Sequence, residues 1–464
     1  MPPQLVLMVG LAFVAYAFAT DRKRSGVTLP DLFWPSLWYL VVASRPVGAW
    51  LQKWGIPIPG GADEADGSPI DRFFYAGMMV LCLRILARRR FDWGDLFRRN
   101  PVLVAFFIYM AISIVWSDYS FISLKRYIKV LASITVALVV LSSERPLDAI
   151  LTVLRRCLYV HLPMSIVCIR YFRPIGISFD WSGRAVSWQG ISTTKNTLGQ
   201  IAMIGVLYFA WEVWRAWPRK KWRNLHLLYL LMALYLIKGS DDALSLTSLS
   251  VCCLAVVIFF RIQSLRSRVH SAKAFVTVAS AGTTALVLLI VVHGISNFSA
   301  ESTLGKVITA FGRDITLTDR TYIWHDSYAA ASSNPILGVG YGGFWIGRQA
   351  NIPWNEHMTW VLGQAHSGYV DTFLQLGVIG WIFLALILIT TLRKGLAALG
   401  TDFDLSSLRL TLLITIAFIN ITETTFLRGD HHLWFVFQLV IWDVATRKRP
   451  APVPAPGSTP LSAN

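Results

Sequence analysis

The apolar residues of this chain are gathered into blocks near twenty residues long, and a water-soluble core has no use for so many such blocks in succession. A helix needs about 20 apolar residues to cross a bilayer, and the blocks repeat at that length. Composition agrees: 55% of the 464 residues are hydrophobic and only 15% are charged. The sequence therefore predicts an all-α polytopic membrane protein with about 12–13 transmembrane helices. The spans are expected near 4–19, 29–44, 73–87, 101–116, 127–142, 150–169, 198–214, 225–238, 243–260, 274–293, 367–391, 407–426 and 432–445, and Pro35, Arg45 and Pro46 interrupt the second.

Between the blocks, basic residues recur in every second loop. Arg22–Lys23–Arg24, Arg88–Arg89–Arg90 with Arg98–Arg99, Arg219–Lys220–Lys221, the stretch from Arg266 to Lys273, Arg393–Lys394 and Arg447–Lys448–Arg449 follow this alternation. The positive-inside rule assigns these loops to the cytoplasm. The net charge of +17, from 43 basic and 26 acidic residues, is thereby spent on topology and forms no stripe for nucleic acid. The alternate loops are expected outside: GGADEADGSP, residues 170–197, and the longest, about 294–366. An odd number of spans puts the N-terminus outside. One transmembrane domain, 1–446, is expected, followed by a proline-rich tail, 447–464, that reads as disordered and cytoplasmic. The first apolar run has no basic leader or evident cleavage site and reads as a retained span. The five cysteines, at 82, 157, 168, 252 and 253, lie in apolar runs and read as small buried hydrophobes.

Two of the outer segments carry chemistry. A loop as long as 294–366 is usually functional or disordered, and TDRTYIWHDSYAAASSNPILG within it reads as a helix capped by Thr318 or Asp319 and closed before Asn334–Pro335. Arg320 falls in its first turn, where a cation opposes the helix dipole; free N–H groups with a guanidinium suit a diphosphate. In GRAVSWQGISTTKNTLGQIA, residues 183–202, Arg184 lies in the loop and Lys195 starts a helix. In GQAHSGYVD, residues 363–371, His366 stands at the mouth of another apolar run. Three basic side chains thus sit at helix entrances on one side of the membrane, which an anionic ligand would explain. Each also has a plain reading: headgroup anchors for Arg184 and Lys195, a solvated ion pair for Arg320 with Asp314 or Asp319, a polar cap for His366. Glu423, in INITETTFL, is a carboxylate in an apolar segment and needs a partner; Arg184, Arg320 or His366 are the expected ones.

Other patterns are weaker. GVGYGG, 338–343, matches G-x-G-x-x-G without a strand–helix unit around it and reads as a turn-rich loop. Asp430–His431–His432 and Glu356–His357 lack a metal-ligand spacing, and Asp241–Asp242 suffice as a helix cap.

Taken in order, G-R-x-x-x-x-x-G-x-x-x-x-K-N-x-L-G, then D-R-x-x-I-W, N-P-x-x-G-x-G-x-G-x-F and A-H-S-G-Y-x-D-x-x-x-x-x-G-x-x-G resemble the O-antigen ligase and Wzy-type polymerase superfamily over roughly residues 180 to 430. Lys195–Asn196 followed by Leu198–Gly199 is most similar to its exopolysaccharide polymerase branch, although Thr194 stands where that branch often has histidine and Ser367 where many members have asparagine. The resemblance implies a GT-C-like glycosyltransferase of the inner membrane, its site facing the periplasm. Its donor would be an undecaprenyl-diphosphate-linked saccharide and its acceptor a saccharide or lipid A core hydroxyl, among membrane lipids and without a cofactor, metal or nucleic acid. By the same resemblance His366 would be the general base, and Arg184 and Arg320 would bind the diphosphate, with Lys195, Asn196, Tyr369 and Glu423 as substrate-binding residues. A transporter or flippase of lipid-linked saccharide, and a protein O-oligosaccharyltransferase, are the alternatives. The lack of a visible repeat and the gathering of unusual residues at span ends favour an enzyme over a carrier.

Overall fold

A computed structural model describes residues 2–25, 30–58, 68–179, 185–217, 220–239, 242–295, 320–346 and 363–445. Arg184, the expected caps Thr318 and Asp319, the pair Glu356–His357 and the tail from 446 onward lie outside the described residues. Helices α1 (Pro3–Ser25), α2 (Phe33–Ala43), α3 (Val47–Lys53), α4 (Pro69–Arg88), α5 (Trp93–Arg99), α6 (Pro101–Ser113), α7 (Ser120–Leu141), α8 (Pro146–Tyr171) and the single turn α9 (Arg173–Gly176) lead to a hairpin. Its strands, β1 (Ile177–Phe179) and β2 (Ala185–Trp188), are antiparallel with Ile177 opposite Trp188. Then follow α10 (Lys195–Arg215), α11 (Lys220–Gly239), α12 (Asp242–Ser264), α13 (Val269–Ile295), α14 (Arg320–Ala331), α15 (Gly368–Ala398), α16 (Phe403–Ile419) and α17 (His432–Ile441).

The sequence marks many of these starts. Pro69, Pro101 and Pro146 occupy first-turn positions, where the missing N–H costs nothing. Ser68 and Thr194 accept from the N–H groups of Ile70 (3.1 Å) and Thr197 (3.2 Å), satisfying donors that a helix start leaves open.

The architecture is that of an all-α, multi-pass membrane protein. By length and composition, five described helices can cross a bilayer: α1, α8, α10, α13 and α15, with a sixth if α5 and α6, bent by 98°, count as one. Expected spans at 73–87, 127–142, 225–238, 243–260 and 407–426 fall on α4, α7, α11, α12 and α16, of 17 to 23 residues. Two expected spans are corrected. At 29–44 the helix α2 has only 11 residues and at 432–445 α17 has 10, a rise of about 15–17 Å at 1.5 Å per residue against a hydrocarbon core of about 30 Å. The Ser44-Arg45-Pro46 break ends the first, and Trp442 leaves the helix with extended backbone at the second.

The bundle packs α10 on α11 and α12, α1 on α8, α4 on α7 and α15 on α16. A Cβ added to Gly205 on α10 would lie 3.3 Å from that of Ala233 on α11, the close approach that small residues permit between membrane helices. Aromatic rings fill the centre, with Tyr159, Phe209 and Tyr229 mutually stacked or tilted. Leu5, Met8, Val80, Ile108, Val257, Val278, Ile382 and Ile389 are exposed, as lipid-facing side chains are. Cys82, Cys157, Cys168 and Cys252 are buried as expected; Cys253, next along its helix, faces outward and is exposed.

The glycine-rich loop 338–343 is a wedge. Helix α15 breaks at Gly377 (φ 62°, ψ −161°), and the freed carbonyls of Leu374 and Gln375 accept from the N–H groups of Val339 (3.1 Å) and Gly340 (3.0 Å). A Cβ at Gly377 would lie 2.2 Å from the Ile336 carbonyl oxygen, and one at Gly340 (φ +92°) would lie 2.7 Å from that of Ser113. Only glycine fits either position.

Candidate functional site

At one end of the helices, the start of α10, the segment before α15 and the connection between α16 and α17 enclose a cavity of about 350 Å³. The short segment Gln364–Gly368 runs beside the cavity, and the backbone of Ala365 and Gly368 is tethered on either side of His366. The Trp324 indole of α14 donates to the Ala365 carbonyl (2.9 Å), and the Ala365 N–H donates to Asp371 Oδ2 (3.2 Å). The Gly368 N–H is shared by the carbonyls of Asn420 (2.9 Å) and Glu423 (3.1 Å). A Cβ at Gly368 would lie 2.1 Å from Asn420 Oδ1, so this contact also requires glycine. Asp371, buried in the first turn of α15, is consumed by the same task, accepting also from Trp345 Nε1 and Thr424 Oγ1 (both 2.5 Å).

What this scaffold displays is His366, held at φ +50°. A non-glycine residue in the left-handed region is strained and persists where its surroundings over-determine it, typically at functional sites. Among the described residues the other two such positions are Arg90 and Leu427, and Leu427 precedes a second cavity-lining cation, Arg428. Burial, then the guanidinium groups of Arg320 and Arg428, hold the His366 ring down at about 4, so it is neutral at ordinary pH.

Glu423 is the hub of the facing wall. Its Oε1 accepts from Arg320 (2.6 Å) and from Asn196 Nδ2 (2.9 Å), joining the start of α14 to the start of α10. The expected partnership of Glu423 with Arg320 is thus present, and the ion pair is nearly buried, 11% and 12% exposed. Burial pushes the Glu423 carboxyl above its ordinary value, while Arg320 and Asn196 pull it back. Arg320 answers the dipole question differently from a solvated face: its charge is directed at an acidic side chain across the cavity wall.

His366, Glu423, Lys195 and Asn196 therefore line one cavity, and Arg320 joins it through Glu423. Tyr369 stands apart: its hydroxyl donates to the Ala417 carbonyl (2.8 Å) and its ring meets Phe426 edge-on. Arg184 lies outside the described residues. Sequence reasoning missed Arg428, Gln364 and Gln200. Arg428 donates to Gln364 Oε1 (2.6 Å), and the other end of that amide meets His366 Nδ1 (3.3 Å). A signal for Arg428 existed, since, like Arg184, Lys195 and Arg320, it lies outside the loops in which the basic clusters alternate.

Asp430, weighed with His431 and His432 as a metal cluster, pairs instead with Lys129 (3.2 Å), which also lies over the Tyr75 ring. Burial alone would raise the Asp430 carboxyl; Lys129 and Arg428 outweigh it and hold it below the usual range. Among the described residues no group of three or more His, Cys, Asp or Glu side chains is poised for a metal.

Residues 227–385 match the protein family described as O-antigen ligase. This segment contains Arg320 and His366, while Lys195, Asn196, Glu423 and Arg428 fall outside it. The chain is also 27% identical over 295 residues to the exopolysaccharide production protein ExoQ of Rhizobium meliloti (strain 1021), a match covering 62% of this chain and 63% of that protein. Both matches point the same way: over part of its length this membrane protein is similar to O-antigen ligases and to an exopolysaccharide production protein.

Proposed function

We propose that the chain is a membrane glycosyltransferase that polymerises or ligates saccharide, taking it from an undecaprenyl-diphosphate-linked donor to an acceptor sugar hydroxyl. The observation that carries this reading is the left-handed, multiply tethered His366 in a cavity with Arg428, Lys195 and the Arg320–Glu423 pair. The family match and the named function of the exopolysaccharide relative support the same class of reaction.

The chemistry follows from charge. Breaking a glycosyl–diphosphate bond builds negative charge on a phosphate oxygen, and cations fixed beforehand stabilise it without reorganisation. Arg320 and Arg428 are placed for that task, with Arg184 as a third expected cation. A guanidinium fork binds phosphate oxygens bidentately. His366 removes the acceptor proton from the opposite side, so the anomeric centre inverts. An anionic donor beside Arg320 and Arg428 offsets the two charges that depress the ring, so the base strengthens when the donor is bound. Buried acceptors at Asn196 Oδ1 and Gln200 Oε1, both lining the cavity and without a hydrogen-bond partner among the described residues, suit the hydroxyls of a sugar.

In this reading the cations do the work a divalent metal does elsewhere, so transfer proceeds in the presence of EDTA. The site faces the periplasm of the inner membrane, on the charge alternation of the loops. The test is transfer of lipid-linked saccharide by purified protein in liposomes, with and without chelator. Loss of activity with EDTA and return with Mg²⁺ or Mn²⁺ would move the diphosphate-binding role from arginine to a metal.

A further inference from the structure

The amide of Gln364 lies between Arg428 and His366, and its two ends are not interchangeable. Arg428 donates to Gln364 Oε1 at 2.6 Å, and a guanidinium has only donors. The carbonyl end must therefore face Arg428, which leaves the NH₂ end, 3.3 Å away, facing His366 Nδ1. That end also has only donors, so Nδ1 must accept. A neutral imidazole whose Nδ1 accepts carries its proton on Nε2. In this arrangement the ring has no free lone pair: one nitrogen is occupied by Gln364 and the other is protonated. A general base for a sugar hydroxyl needs the opposite tautomer, with the proton on Nδ1 and the Nε2 lone pair open.

We propose that Arg428 and Gln364 are positioning residues that hold His366 in its base-inactive tautomer until an anion occupies the cavity. An anion, here the donor diphosphate, takes over the Arg428 N–H. The Gln364 amide is then free to turn by half a rotation, so that Oε1 accepts from Nδ1–H. The proton leaves Nε2 and another is taken up at Nδ1, with no net change. In the transfer step the acceptor O–H proton goes to Nε2, the acceptor oxygen bonds to the anomeric carbon, and the pair of the broken C–O bond leaves on the diphosphate. This rests on the proposed function, since it concerns the same base. The other charged or titratable groups lining the cavity are Tyr75, Lys195, Glu423, Asp430 and His431, and Arg320 joins them through Glu423; Asp430 is paired with Lys129. None of them can substitute for the amide, because Gln364 is the group in contact with Nδ1. The arrangement prevents deprotonation of an acceptor, or of water, when no donor is present.

The experiment is ¹⁵N NMR of histidine-labelled full-length protein in liposomes, with the His366 signals assigned by difference against His366→Gln among the nine histidines. Inorganic pyrophosphate is the anionic probe. Unliganded wild type should show Nε2–H. Saturating pyrophosphate, or Arg428→Met without ligand, should move the population to Nδ1–H. Nδ1–H in the unliganded wild type, or Nε2–H that persists under both treatments, overturns the proposal. A second readout uses the rate profile. Gln364→Glu can only accept from the ring and places a carboxylate beside it, so the acid limb should move to higher pH; Gln364→Met should not move it upward. Coincident profiles for the two variants would reduce Gln364 to packing. Failure of the parent reading looks different: His366→Ala would then keep its turnover whatever tautomer the NMR reports.

Discussion

Two groups of ion pairs in the helix bundle use their cations in opposite ways. In one, Arg99 pairs with Asp95 and lies near Asp443, Lys394 meets Asp443, and Arg266 makes a two-pronged contact with Asp404. The cations are exposed, Arg266 at 58%, and their carboxylate partners only partly buried. At the cavity, Arg320 and Glu423 are nearly buried, and Arg428 is committed to an amide that touches a strained histidine. Exposed pairs cost little to make and little to lose. A buried pair carries a desolvation cost that stability alone does not justify. Burial by itself does not mark chemistry, since Arg155 and Asp21 (3.0 Å) are buried as deeply, 9% and 10% exposed; what sets the Arg320–Glu423 pair apart is its place at the cavity that holds the strained His366.

The contrast can be broken most sharply at His366. His366→Ala should lower turnover by about 10²- to 10⁴-fold, the cost of losing a positioned base, while binding of the lipid-diphosphate donor and detergent stability stay near wild type. Transfer and donor binding measured on one preparation decide this, and turnover within a few-fold of wild type removes the residue from the mechanism.

Next in size is the hub. Glu423→Ala strips Arg320 of its partner in a nearly buried site and should cost about 3–5 kcal/mol. It should appear as a lower unfolding temperature in detergent together with reduced transfer. An unchanged unfolding temperature would mean that water already screens the pair.

Arg320→Lys keeps the charge and loses the fork, so transfer should fall by the equivalent of about 1.5–3 kcal/mol. A wild-type rate in the lysine variant would return Arg320 to a structural ion pair.

A smaller effect is expected from pH. Because His366 is held down at about 4, the rate at limiting donor should persist as pH falls to about 5. Below about 4 it should drop by about tenfold per unit as the base is protonated. With saturating donor the limb should lie at higher pH, since the anion offsets Arg320 and Arg428. A limb near the ordinary histidine value in both conditions contradicts the burial of the ring.

The smallest effect belongs to the exposed group. Arg266→Ala should change stability by less than about 1 kcal/mol and leave transfer alone, read by the same unfolding and transfer assays. A large loss of transfer would erase the distinction between the two groups.

How much of this was legible in the sequence differs by residue. The helix start at Lys195 was read from the sequence, and the structure adds its cap, the Thr194 oxygen accepting from the free N–H three residues on. His366 and Arg320 were readable as charges at helix entrances, and Glu423 as a carboxylate too costly to leave unpaired. Gln364 was not, because an amide at a loop end carries no local signal; its meaning comes from Arg428, 64 positions away. Tyr369 sits in the same motif as His366 yet faces the core, since neighbouring residues at a helix start point in different directions.

The amino-acid order by itself therefore determined the class of molecule, the helical blocks, the sorting of basic loops and the presence of unexplained charges near helix ends. These depend on local hydrophobicity, capping and the cost of charge in an apolar phase, all of which act over a few residues. The left-handed backbone of His366, the sharing of Glu423 between α10 and α14, and the amide that sets which ring nitrogen holds the proton were decided only by tertiary structure. The physical reason is that hydrogen bonds and steric fit at this site join residues between 2 and 227 positions apart, and nothing in a local stretch of sequence specifies which of them will meet.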